Sequence, residues 1–166
     1  MSVTLVLLPI ALAAAAAAGG VGALGAVTTA KGNARTDSGP APEVRVRTRM
    51  KDSTLLADAL AALGATGVEV SRTRVTAEVD GVALTLTLTE DEVWEAHVES
   101  LDGRDVTVAS ATELLQRLDA EYAAGVQQAV AEKIRLRAES SGFDLVSETR
   151  DADDTVTMVL NVRTGA

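Results

Sequence analysis

The chain has 166 residues, a net charge of −9 and no cysteine, with a single histidine, His97. That excludes disulfides, thiolate metal sites and cysteine nucleophiles. It also weighs against binding to nucleic acid, which needs a basic surface to displace counterions from phosphates. Trp94, Tyr122 and Phe143 are the only aromatic residues, so the core must be made from Leu, Val and Ala.

The first thirty residues contain no Asp, Glu, Lys or Arg, and all 15 basic and 24 acidic residues follow from Lys31 onward. Val3–Ala30 is long enough for a transmembrane helix, which needs about 20 apolar residues. Its drive comes from Val3, Leu5, Val6, Leu7, Leu8, Ile10 and Leu12, because alanine and glycine gain little from lipid. No basic residue precedes the run, whereas Lys31, Arg35, Arg45, Arg47, Arg49 and Lys51 follow it. The positive-inside rule then predicts a single-pass anchor over 1–30 in the cell membrane, with the N-terminus outside and the following domain in the cytoplasm. A cleaved export signal is the alternative, since alanine-rich ends resemble cleavage sites, although the basic n-region is missing. Ala14, Ala18, Gly22 and Ala26 recur at four-residue spacing, which would let a partner helix pack closely in lipid.

Residues 31–42 (KGNARTDSGPAP) read as a polar linker, and 43–166 as one α+β domain. Val44, Val46, Thr48 and Met50 alternate with Arg45, Arg47 and Arg49, the period of a half-buried strand. Asp52 or Ser53 caps a helix whose apolar face is Leu55, Leu56, Ala59, Leu60 and Leu63, and Gly64 ends it. A strand from Val68 to about Val79 meets the hairpin signal Asp80-Gly81 and returns as Val82–Thr89. After Glu90-Asp91-Glu92 comes a strand over Val93–Glu99, then a turn at 101–104 and a short strand near 105–109. Ser110 and Glu113 fit a capping box opening a helix over 111–140. Leu115, Leu118, Tyr122, Val126, Ala129, Val130 and Ile134 form its predicted core stripe, and Gly142 stops it. Phe143–Arg150 and Thr155–Arg163 read as a closing hairpin. Hairpin links dominate this order. They predict an antiparallel sheet with two helices on one face, preceded by the transmembrane helix.

Taken together, VRTRMKDSTLLADALAALG, LLQRLDAEYAAGVQQAVAEKIRLRAESSGF and VSETRDADDTVTMVLNVR resemble the plastid and cyanobacterial family called hypothetical chloroplast frame thirty-five, domain of unknown function twelve fifty-seven. The similarity covers about 44–163. Gly142-Phe143 and the acidic turn Asp151–Asp154 match the family's helix end and hairpin. Its tyrosine- and glycine-rich middle has no counterpart here. The resemblance implies a shared domain without an assigned reaction, and a partner in an AAA-type ATPase system.

Two groups of residues are chemical candidates. Glu95, His97 and Glu99 project together from one strand, where a carboxylate can orient an imidazole for acid–base work or both can bind a metal. A solvated strand face is the plainer account, since no nucleophile motif or second histidine accompanies them. Arg45, Arg47, Arg49, Arg72 and Arg74, with Thr85 and Thr87, make a candidate interaction face. Its arginines suit either anionic lipid heads or cross-strand pairing with Glu69, Glu78 or Glu95. Asp151, Asp153 and Asp154 lack the loop a calcium site needs. No phosphate-binding, dinucleotide or serine-hydrolase motif occurs, and no cofactor or metal is expected. The sequence reading is a membrane-anchored, non-enzymatic adaptor or scaffold for a cytoplasmic protein partner. An enzyme or accessory subunit using His97, or a secreted binding protein, are the other classes left open.

Overall fold

The computed structural model describes residues 2–7, 27–29, 44–102, 106–152 and 154–163. It divides the chain into two compact units, Leu12–Tyr122 and Met1–Ala11 with Ala123–Ala166.

In the first unit, six antiparallel strands run in the order β2-β3-β7-β6-β5-β4. They are β2 (Val27–Thr29), β3 (Val44–Arg47), β4 (Thr66–Val70), β5 (Arg74–Val79), β6 (Val82–Leu88) and β7 (Trp94–Ser100). Alternation decides which side is dry. Val44 and Val46, Val75, Ala77 and Val79, Leu84 and Leu86, and Trp94, Ala96 and Val98 are all buried. Against them pack Leu56, Ala59 and Leu60 of α1 (Ser53–Ala62), and Ala111, Leu114, Leu115, Leu118 and Tyr122 from the start of α2 (Val108–Ser140).

The local signals explain why these elements begin and end where they do. Asp52 caps α1, its carboxylate accepting from the Thr54 and Leu55 N–H groups at 2.8 and 3.1 Å. Gly64, at φ +77°, closes the helix while the Ala65 N–H reaches the Leu60 carbonyl and the Gly64 N–H that of Ala61. That pair of bonds is a Schellman end, and only glycine enters its left-handed position without strain. Asp80 and Gly81 both take positive φ, the two-residue turn that matches strand twist. Tyr122 joins α2 to the α1 cap, its hydroxyl oxygen accepting from the Lys51 and Asp52 N–H groups at 3.1 and 3.0 Å.

In the second unit, β1 (Ser2–Leu7), β9 (Val156–Val162) and β8 (Phe143–Arg150) form a three-stranded antiparallel sheet with β9 in the centre. Leu5 and Leu7 lie opposite Met158 and Val156, and these pack with Ala131 and Ile134 of α2. Gln127, also on α2, donates to the Leu7 carbonyl at 2.9 Å and to the Asp154 carbonyl at 2.6 Å, so one buried amide holds the end of β1 and the β8–β9 turn.

Several expectations are corrected. The fold is not one antiparallel sheet behind a transmembrane helix: there are two sheets, and the start of the expected span is the strand β1. No helix among the described residues is long and apolar enough to cross a membrane. The run SVTLVL alternates, placing Val3, Leu5 and Leu7 on one side to meet Leu160, Met158 and Val156, a pairing that gives every second residue an apolar neighbour. Ala14, Ala18, Gly22 and Ala26, and the linker 31–42, lie outside the described residues.

Smaller corrections have local causes. The strand expected over 68–79 is a hairpin turning at Ser71–Thr73, where the Ser71 hydroxyl donates to the Arg74 carbonyl and accepts from its N–H. The turn lacks the Gly, Pro, Asn or Asp that usually announces one. No strand forms at 106–109. Helix α2 starts earlier than its capping box, with Thr107 as the cap accepting from the Ser110 N–H at 3.1 Å. Val126 and Val130, expected in the core stripe, are exposed, while Gln127, Ala131 and Ala138 are buried instead.

Candidate functional site: the open sheet face

The side of the six-stranded sheet opposite its core carries the polar half of every alternating strand. Registers order it into three rows. One runs Arg47, Glu95, Thr87, Arg74 across β3, β7, β6 and β5. The next runs Arg45, His97, Thr85, Thr76 and ends on Glu69 of β4. The third runs Glu99, Ala83, Glu78 and Thr66. Successive rows are two residues apart, about 7 Å along the strands, and neighbouring strands about 4.8 Å apart.

Most of the predicted interaction face meets here. Arg45, Arg47, Arg74, Thr85 and Thr87 share this surface with Glu95, His97 and Glu99. Two arginines do not. Arg49 turns to α2 and makes a two-pronged pair with Asp119, Nε to Oδ1 at 2.9 Å and Nη2 to Oδ2 at 2.8 Å. Asp119 is buried, so this guanidinium neutralises an interior carboxylate and is part of the scaffold. Arg72 sits exposed in the Ser71–Thr73 turn, because the missed hairpin breaks the two-residue phase between it and Arg74.

The pairings observed differ from the cross-strand ones expected. Arg47 is bonded to Asp91, in the turn that follows β6. Glu95 and His97 come together, Oε1 to Nε2 at 3.3 Å, on half-buried side chains. Among the described residues no set of three His, Asp or Glu side chains is grouped to hold a metal ion. Thr73, Arg74, Thr85, Thr87, His97 and Glu99 line a shallow open depression of about 450 Å³. Such a surface lets a protein segment lie across it.

Sequence reasoning named Glu69 and Glu78 as cross-strand partners of the arginines and missed Thr76 as a member of the face. The alternation Val75, Ala77, Val79 places Thr76 there only once β5 is separated from β4. Trp94 is the core anchor expected of a scarce aromatic, fully buried with its indole N–H donating to the Lys51 carbonyl at 3.3 Å.

One of the two edges of this sheet, β4, is guarded. Strand β4 has a register shift between Thr66 and Glu69, and Gly67 takes φ +60°. A bulge of this kind twists an edge away from further strand pairing.

Comparison of the chain with protein-family models, with curated proteins and with solved structures finds no match. The resemblance to the chloroplast-frame family therefore stands on the quoted phrases alone.

Proposed function

We propose that the chain is a non-enzymatic binding module that engages a protein partner through the open face of its six-stranded sheet. One observation carries the reading: three aligned rows of mainly charged and hydroxyl side chains cover a broad, shallow surface opposite a predominantly apolar core. A face of mixed charge selects partners by electrostatic complementarity, mainly through specificity and encounter rate. The bulged β4 edge directs the reading to the face and away from strand addition. The proposal includes no membrane tether, because the apolar start of the expected span is a strand.

Photo-crosslinking tests it. A photoreactive residue at Thr85 or Thr87 is expected to give the same discrete protein adduct in cells, with none from Arg72 or Leu136, which are exposed elsewhere. Absence of an adduct from the face, or the same adduct from all four positions, overturns the proposal.

A further inference from the structure

The rows of the open face are polarised. Arg74 and Thr87 stand at one end, and Glu78 and Glu99 at the other, with Ala83 between the two carboxylates. Among the described residues no carboxylate pairs with the Arg74 guanidinium, and no cation pairs with Glu78 or Glu99. This contrasts with Arg47, Arg49, Arg117, Arg135 and Arg163, each of which has an acidic partner. Among the described residues the face therefore offers the Arg74 guanidinium and three unpaired carboxylates, Glu78 and Glu99 beside Ala83 and Glu69 opposite Thr76 on the edge strand.

The spacing is set by the strand. Arg74 and Glu78 are four residues apart on β5, about 13–14 Å at the rise of an extended chain. A partner segment laid along the strand in extended form presents its own residues i and i+4 on one side at the same separation. Arginine binds a carboxylate through two parallel N–H groups, and the Thr87 hydroxyl opposite Arg74 can donate a further bond. At the other end Ala83 contributes only a methyl group. This leaves room for a lysine or arginine side chain between Glu78 and Glu99, each one strand away.

We infer that the open face receives an extended segment of the protein partner carrying an acidic and a basic side chain four residues apart. The acidic side chain seats on Arg74 and Thr87, and the basic one lies over Ala83 between Glu78 and Glu99. This rests on the face being the binding surface, and adds to that reading the charge pattern of what it binds.

The test is an NMR titration of the full chain, at low salt and millimolar peptide, with nine-residue peptides on a Ser/Thr background. One peptide carries Glu and Lys four residues apart, a second two Glu, a third two Lys. The mixed peptide is expected to shift the amides of Arg74, Ala83, Thr87 and Glu99 and to bind most tightly. Arg74→Glu should weaken it about two- to fivefold, the size that exposed ion pairs have, and should favour the two-Lys peptide instead. Equal binding by the same-sign peptides, shifts away from this face, or no shifts overturn the inference. If Thr85 and Thr87 still crosslink a partner while the peptides fail, the charge pattern is wrong and the binding face stands. If the crosslinks also fail, both readings fall.

Discussion

The two units are built by the same local rules on very different amounts of core. In the six-stranded unit, two helices cover the sheet, and Trp94, Met50, Leu56, Leu60, Leu84, Leu86, Leu115 and Leu118 are almost fully buried. In the three-stranded unit, the buried cluster is Ala131, Val156 and Met158, with Leu5, Leu7 and Ile134 partly covered. Strand β8 is exposed along nearly its whole length. The first unit has apolar area to spare around its open face, so that face is free to be polar. The second depends on a few contacts and on one amide, Gln127, whose Oε1 is buried without a hydrogen-bond partner among the described residues. The two units thus differ chiefly in how much apolar surface each buries.

The largest effect that would break this comparison lies in the larger core. Trp94→Ala removes the biggest buried side chain and a hydrogen bond to Lys51, and should cost about 3–5 kcal/mol, measured by chemical denaturation with a β6 probe. Next comes Met158→Ala, at about 2–5 kcal/mol. Native-state hydrogen exchange should show β9 amides losing protection while β6 amides keep theirs. Equal loss in both strands would contradict two separate cores.

A third change sharpens the local side of the argument. Asp52→Ala removes the α1 cap and should destabilise the six-stranded unit by about 1 kcal/mol, while Asp52→Asn should keep most of it.

Acid provides a smaller contrast. A hydrogen bond from the Arg135 guanidinium holds the Glu148 carboxyl below its ordinary value, outweighing the opposing effect of burial, with the charges of Arg135 and Arg150 adding to the lowering. A depressed folded-state pKa means the unfolded chain binds the proton more readily. The stabilisation is complete above the unfolded carboxylate pKa of about 4.3 and is lost as pH falls through the folded value. Protection factors at β8 and β9, taken relative to the intrinsic exchange rate at each pH, should therefore fall with acid over that window, and Glu148→Gln should flatten this dependence. The smallest effect is expected at Val126, which is exposed: Val126→Ser should stay within about 0.5 kcal/mol. A cost above 2 kcal/mol there would restore the single core stripe predicted for α2.

How much was legible follows from how far each signal reaches along the chain. The Asp80-Gly81 turn, the Asp52 cap and the glycine stops at Gly64 and Gly142 depend on neighbours a few residues away, and they appear where expected. The inward alternation expected of Val156, Met158, Leu160 and Val162 is equally local and holds for the first three, while Val162 is exposed. Most of the open face was legible for the same reason, since period-two patterning assigned Arg45, Arg47, Thr85, Thr87, Glu95, His97 and Glu99 to one side. Arg49 escaped because its place depends on Asp119, 70 residues away. Arg72 and Arg74 were put in one phase because nothing but Ser71 marks the turn between them and β4.

By itself, the sequence determined periodicity, caps and turns, because these are satisfied within one strand or one helical turn. It also determined that the core must be aliphatic and the open face mixed in charge. Only the tertiary structure decided what each element packs against. An uncharged run beginning VTLVL is compatible with lipid or with a sheet, and the choice fell to β9, about 150 residues away, whose Met158 and Val156 cover Leu5 and Leu7. Likewise, an apolar stripe on α2 stated that a helix has a side to bury. Which residues are buried beyond Tyr122 was decided by the second sheet, since burial is a property of a pair of surfaces and one strand of sequence describes only one of them.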